Sequence, residues 1–340
     1  MRVAIRRCLI RQVGNGPRLV LVACSGGADS LALALATRFV APRLGLGCGL
    51  VTVDHQLQEG SGQRAANIIS WAERVGFGPV LGLTVDAQAG PGGQGPEATA
   101  RTARYAAMVD AARRAGAGAV LLGHTREDQA ETVLLALARG SGPRGLAGMP
   151  ERRLIDGVPF LRPLLAVSRA QTRAACAAGA AGDGDAAGGV GGLEPWEDPH
   201  NADPAFARVR VRQALPVLVE ALGAGVVANL ARTAQMIAVD VEYLDAAAAS
   251  AAERVSTAGG ALSASGLAEL PTALRRRVLH QWSLGLGARG ADLSSRHVDA
   301  LDALVTAWRG QGHVALPGGI RVGRETGRLA AVPPPGTTVR

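Results

Sequence analysis

Between residues 18 and 139, short apolar runs alternate with helical patterns, and this alternation constrains the fold more than any other feature. Arg18–Ala23 (RLVLVA), Leu50–Val53, Pro79–Val85 and Ala119–Gly123 read as buried strands. The segments near 29–40, 61–76, 97–115 and 125–139 carry helical spacing. Strands that are apolar on both faces, each followed by a helix, call for a parallel sheet covered by helices on both sides. In such sheets ligands bind beyond the carboxyl ends of the strands, so the residues just after each run are the first to inspect.

From about residue 205 the texture changes. Phe206–Leu222, Val226–Ala252, Leu267–Leu286 and Ser294–Trp308 read as helices, and HVALPGGIRVGRETGRLAAV as one or two hairpins turning at Gly318–Gly319. A chain of 340 residues exceeds what one core usually holds. The expected division is a sheet domain over 1–215, a helical domain over 216–332 and a disordered tail over 333–340. The Ala/Gly-rich stretch 174–192 is expected to be a flexible insertion.

Composition removes whole classes of chemistry. The 36 basic residues are all arginines, so a G-x-x-x-x-G-K-[ST] loop and Schiff-base chemistry on a lysine side chain are excluded. Against 28 acidic residues the net charge is +8, which suits phosphate and nucleic acid. Cys8, Cys24, Cys48 and Cys176 lie far apart without a C-x-x-C pair, which excludes a zinc knuckle and a disulfide scaffold and fits a reducing, cytoplasmic setting. No apolar stretch of membrane-spanning length is free of charge.

Three glycine patterns stand out. Gly140–Gly145 matches G-x-G-x-x-G but follows a helix, and Gly45–Gly49 precedes a strand, so neither has the strand–turn–helix context of a dinucleotide loop. Ser25-Gly26-Gly27-Ala28-Asp29-Ser30 has that context, between RLVLVAC and LALALATRF. Its glycines let backbone approach a ligand, and the helix start behind them offers N–H groups to an anion. Asp29 is out of place in a pure anion site unless it organises the loop or faces a metal ion carried on phosphates.

SGGADS after a first strand resembles the signature of the N-type ATP pyrophosphatases, or PP-loop enzymes, with a Rossmann-like sheet. Further segments narrow the likeness to the tRNA(Ile)-lysidine synthetases. They are VDHQLQEGS (53–61), EATARTARY (97–105), GHTREDQAETVLLALARGSGPRGLAGM (123–149), RPLL (162–165) and WEDPHNADPAFARVRVR (196–212). They run through roughly the first two-thirds of the chain. HTREDQAET together with DPHNADPAFARVRVR is particular to that family, whereas the loop alone is shared across the superfamily. The helical remainder, with LRRRVLHQW and the terminal hairpin, resembles the family's substrate-binding domain.

The resemblance implies ATP as substrate with Mg²⁺ on its phosphates, held by Ser25, Gly26, Gly27, Ala28, Asp29, Ser30, His55 and Arg104. His55 has two open readings, structural or adenosine-facing. Glu97, Arg101 and Arg104 share helical spacing and form either a solvated face or a phosphate clamp; the resemblance selects Arg104 as the stronger ATP contact. Thr125-x-x-Asp128 is a plain capping box, but by the resemblance His124, Asp128 and Glu131 line the site for free L-lysine. Asp29, Arg104, Asp128 and Glu131 are the expected catalytic set, with Asp29 the metal contact. Arg208, Arg210 and Arg212 form either a tRNA-contacting stripe or a solvated helix face.

The implied reaction adds lysine to the first anticodon cytidine of tRNA(Ile) bearing CAU, through an adenylated cytidine. No membrane is expected, and a homodimer is an allowed assembly. Gln58, where members often carry arginine, and His200, where they carry serine or threonine, depart from the pattern. Two other readings stand beside this one: a PP-loop tRNA thiolase and a non-catalytic tRNA-binding paralogue.

Overall fold

In a computed structural model of the chain, the first apolar run becomes β1 (Leu19–Ala23), with Val20, Leu21 and Val22 fully buried. The structure describes residues 1–13, 16–56, 60–85, 96–180, 193–199, 203–290 and 292–332. Two compact units result, Met1–Ala238 and Val239–Arg340.

The first unit follows the strand–helix alternation. After a helix the sequence pattern did not announce, α1 (Arg2–Gln12), come β1, α2 (Ala28–Val40), β2 (Gly47–Asp54), α3 (Ser61–Val75), β3 (Val80–Thr84), α4 (Pro96–Arg114), β4 (Ala119–Leu121) and α5 (Arg126–Ala138). A short helix, α6 (Pro143–Leu146), leads to a hairpin of β5 (Arg152–Ile155) and β6 (Val158–Leu161), and then to α7 (Arg169–Ala180) and α8 (Ala207–Leu222).

The sheet order is β3-β2-β1-β4-β6-β5, parallel throughout except for β5. The alternation of β1 explains the two layers. Val20 and Val22 pack into a core with α1, α2, α3 and α7, while Leu21 packs with Tyr105, Met108 and Ala112 of α4. Helix α2 is apolar nearly all round because the sheet lies on one side and α1 and α7 on the other.

Strand order reverses at β1, with β2 on one side and β4 on the other. That topological switch point opens a crevice at the carboxyl ends of both central strands. Gly123, just past β4, is what lets the two loops meet there. A Cβ at this position would stand 3.2 Å from the Asp29 carbonyl oxygen and 3.3 Å from Ser30 Cα.

Residues 174–180, expected to begin a flexible insertion, instead complete α7, and Cys176 is buried. Their alanines are the strongest helix formers, and they outweigh the local lack of larger side chains. Residues 181–192, and the tail 333–340, lie outside the described residues.

The second unit takes in the C-terminal part of α9 (Val226–Val255), followed by β7 (Leu262–Ser263), α10 (Ala264–Glu269), α11 (Thr272–Gly285), α12 (Ser295–Thr306), β8 (Val314–Leu316), β9 (Ile320–Glu325) and β10 (Arg328–Val332). Its strands form a four-stranded antiparallel sheet, β7-β10-β9-β8, broader than the terminal hairpins expected. The helix expected over Leu267–Leu286 is broken at Leu270 and Pro271, both extended, because a residue before proline is pushed out of the helical region. In α11 the three consecutive arginines each meet an acid: Arg275–Asp302 at 2.6 Å, Arg277–Asp245 at 2.6 Å, and Arg276 with Asp299. No single described helix is long and apolar enough to cross a membrane.

Candidate active site

The crevice is a cavity of about 1220 Å³ lined wholly by the first unit. On one wall lies the loop Ser25–Ser30. Gly26 adopts φ +83°, a left-handed conformation that favours glycine. The Ser30 hydroxyl staples the turn: it donates to the Gly27 carbonyl (2.9 Å) and accepts from the Ser25 N–H (3.2 Å). Gly27 is the N-cap of α2, no side chain caps that end, and Gly27, Ala28 and Asp29 line the cavity; a helix start left uncapped in this way can receive an anion. Residues 193–199 fold back over the loop. Trp196 donates its N–H to the Gly26 carbonyl (3.0 Å), and its ring carries the Arg64 guanidinium at 4.0 Å.

Helix α4 presents Arg101 and Arg104 to the same cavity, one turn apart as their spacing requires, each within 6 Å of the Tyr105 ring. His55, just after β2, is half-buried with its Nδ1 unpartnered. Burial, with the nearby Arg104 charge, lowers its pKa.

The start of α5 borders the same cavity, next to the loop. Thr125 and Asp128 form the expected capping box: Asp128 Oδ2 accepts from the Thr125 N–H (2.7 Å) and hydroxyl (2.9 Å). Glu131 is fully buried. Its Oε1 accepts from Arg212 Nε (2.9 Å) and Arg169 Nη2 (3.4 Å), and its Oε2 from Arg212 Nη2 (3.3 Å). Arg169 also reaches Asp128 Oδ1 (2.9 Å) and lies 3.7 Å from Asp29, whose carboxylate accepts from the Thr172 hydroxyl. Burial would raise the pKa of Asp128, but Arg169 and the Thr125 N–H outweigh it and hold the carboxyl below its usual range. Asp29 moves the other way, raised chiefly by burial.

The cavity therefore gathers Ser25, Gly27, Ala28, Asp29, Ser30, His55, Arg101, Arg104, His124 and Asp128, with Glu131 directly behind Asp128. It also separates the expected arginine stripe. Arg208 and Arg212, four residues apart on α8, turn into the cavity, Arg208 lying 3.9 Å from Glu131. Arg210, on the opposite face by helical geometry, donates to the carbonyls of Pro204 (2.7 Å) and Ala205 (2.8 Å). Arg169, Thr172 and Trp196 were not singled out from sequence. A basic residue just after RPLL, in a chain whose clustered acids have only arginine to pair with, was the available signal for Arg169. Gln58 and His200 lie outside the described residues, as does the side chain of Glu97.

His124 follows β4 with its Nδ1 buried and unpartnered, and burial pushes its pKa down to about 3 despite neighbouring Asp128. The imidazole is thus neutral in the folded chain across working pH. An unfolded histidine takes up its proton near pH 6.5, so the unfolded state binds more protons between about 6.5 and 3, and stability falls as pH drops through that window. His124→Gln should remove about one proton from the pH dependence of unfolding there. Urea unfolding of both proteins at pH 7.0, 6.0 and 5.0 measures it, and parallel pH dependences would contradict a buried neutral His124.

A glycine turn between a strand and a helix start, at the switch point of a parallel sheet, is the arrangement in which α/β enzymes bind nucleotides, and residues 4–218 match the PP-loop domain family. Residues 262–330 match the TilS substrate binding domain. Relatives named tRNA(Ile)-lysidine synthase include those of Salinispora tropica, 60% identical over 98% of this chain and 96% of that protein, and Thermobifida fusca, 51% identical over 97% and 95%. The chain belongs to the tRNA(Ile)-lysidine synthase family. The U34-tRNA thiolase NcsA of Methanococcus maripaludis shares the fold alone, with a TM-score of 0.53 and 14% identity over 69% of this chain and 78% of that one.

Proposed function

We propose that the chain ligates free L-lysine to the first anticodon cytidine of tRNA(Ile) bearing CAU, consuming ATP and changing the codon read from AUG to AUA. The ring-2 carbonyl oxygen of cytidine attacks the α-phosphorus of ATP and expels pyrophosphate. An amine of lysine then attacks the activated carbon, and AMP leaves with that oxygen. An amide-like oxygen is a poor leaving group until it is adenylated, so positioning and charge neutralisation carry the catalysis. The cytidine must be splayed from its loop to reach the cavity.

The observation carrying this reading is one cavity lined both by the glycine loop at the start of α2 and by clustered carboxylates. Ser25–Ser30 would hold the triphosphate, His55 the adenosine and Arg104 the charge on phosphorus. His124, Asp128 and Glu131 would form the amine site. Among the described residues no cluster of three or more His, Cys, Asp or Glu is arranged to hold a metal by itself. Mg²⁺ commonly binds through one or two carboxylates plus substrate phosphates, and Asp29, beside the loop, suits that mode. It would offset charge on the departing pyrophosphate. We assign tRNA docking to residues 216–332 together with Arg208 and Arg212, and place the enzyme in the cytoplasm. A thiolase is disfavoured by Cys24, the thiol next to the loop, which burial raises to about 11, the reverse of a sulfur carrier.

Incorporation of radiolabelled lysine into tRNA(Ile), dependent on ATP, tests the proposal. Incorporation of sulfur would favour a thiolase, and retention of tRNA without turnover a binding paralogue. Asp128→Asn keeps the cap but loses the charge. It should raise the apparent KM for lysine by roughly tenfold or more while leaving ATP affinity within about threefold. An unchanged lysine KM would remove Asp128 from the amine site.

A further inference from the structure

The carboxylates assigned to the amine site are already taken. Asp128 Oδ2 is filled by Thr125, and its Oδ1 by Arg169 at 2.9 Å with Arg212 at 3.8 Å. Glu131 has Arg212 and Arg169 on one oxygen, and Arg212 and Arg208 on the other. Asp29, Asp128 and Glu131 thus make their ion pairs with Arg169, Arg208 and Arg212, and the charge of Arg173 also reaches Asp29. A substrate ammonium entering this cluster adds a cation unless a guanidinium gives way.

The geometry marks which one. Arg212 grips Glu131 with two nitrogens, at 2.9 and 3.3 Å. Arg169 spreads one nitrogen, Nη2, over Asp128 and Glu131, while its Nε lies 3.7 Å from Asp29 beside the phosphate loop. Its backbone is anchored independently of the guanidinium, since the Arg169 N–H donates to Glu127 at 2.7 Å. The side chain can move while its helix start stays fixed. Its present partners define both ends of the movement, amine site and nucleotide loop.

We propose that Arg169 is a positioning residue that holds the place of the substrate ammonium. It holds the Asp128 and Glu131 carboxylates side by side through one nitrogen. When lysine enters, Nη2 yields these carboxylates and the guanidinium turns towards Asp29 and the triphosphate. Nucleotide phosphates stabilise the displaced guanidinium, so ATP and lysine favour each other's binding. This inference rests on the assignment of Asp128 and Glu131 to lysine. By linkage the coupling is reciprocal.

Titration calorimetry of L-lysine into the full chain, with and without α,β-methylene-ATP and Mg²⁺, tests it. For the wild type the analogue is expected to tighten lysine about tenfold, inside the usual range for coupled sites. Arg169→Met should bind lysine at least as tightly as wild type without the analogue, and the analogue should then add less than about twofold. Arg169→Lys retains charge but not the fork, and should keep an intermediate coupling of about threefold, which covers the case in which Arg169→Met does not fold. Full coupling in either variant, or weaker lysine binding by Arg169→Met without the analogue, would overturn the proposal. Equal wild-type affinities with and without the analogue would sink it while sparing the amine site. A wild-type enzyme that binds no lysine would bring down the assignment of Asp128 and Glu131 itself.

Discussion

Glu131→Ala is expected to lower the melting temperature by roughly 6–12 °C and to abolish lysine-dependent turnover. The carboxylate is fully buried and is the shared counter-charge of Arg169, Arg208 and Arg212. Removing one member of a buried ion pair costs about 3–5 kcal/mol, because the remaining charge is left without compensation. Here the arginines are 21–37% exposed, so water softens the loss and the lower end, about 3 kcal/mol, is the reasonable figure. For a unit of this size each kcal/mol moves the melting temperature by about 2–4 °C. Glu131→Gln keeps the shape and one acceptor, and it should recover about half the stability but little of the turnover. Differential scanning calorimetry alongside a lysine-incorporation assay separates the two effects. A Glu131→Ala protein melting within about 2 °C of wild type would mean that the arginines are held by something else.

The sheet and its mouth were legible because they depend on local signals. Continuous apolar runs marked β1 to β4, and SGGADS marked the loop by its position between a strand and a helix. What the reading lost was of two kinds. Some signals were present but unused. Ile155-Asp156-Gly157-Val158 is the Asp-Gly signature of a tight hairpin, and Asp156 and Gly157 do take positive φ (46° and 80°) to join β5 and β6. In α1, Ile5, Cys8 and Leu9 recur at helical spacing and are buried, but four arginines in eleven residues masked the stripe. The split of Arg208 and Arg212 from Arg210 likewise follows from helical spacing alone.

Other features had no local signature. Arg169 meets Asp128 and Glu131 only because α7 starts against α5, a juxtaposition made by the crossover after β6 and invisible in residues 160–180 by themselves. The same holds for Trp196, brought onto Gly26 by a segment that returns to the loop from far along the chain. The acids were legible as a group at the mouth of the sheet, but their pairing with Arg169 and Arg212 was not.

Arg104→Ala is expected to slow pyrophosphate release by about 10²–10³-fold, the loss typical of deleting one preorganised stabiliser of transition-state charge. Phosphoryl chemistry at the α-phosphorus builds charge that a lysine side chain commonly meets in other enzymes, and this chain has none. Arg101 and Arg104 both line the cavity from α4, and Arg104 is the less exposed and the one whose charge reaches His55 at the end of β2. Arg101→Ala should therefore cost less, about tenfold. Arg104→Lys should recover only part of the rate, since a point charge cannot reproduce the planar two-nitrogen contact with phosphate oxygens. Single-turnover release of labelled pyrophosphate from ATP, with tRNA(Ile) present and lysine omitted, isolates the first step. Lysine affinity measured on the same variant should stay within about twofold, because Asp128 and Glu131 pair with Arg169, Arg208 and Arg212. Release within threefold of wild type would take Arg104 out of the reaction and leave the charge on phosphorus to the backbone N–H groups at the start of α2.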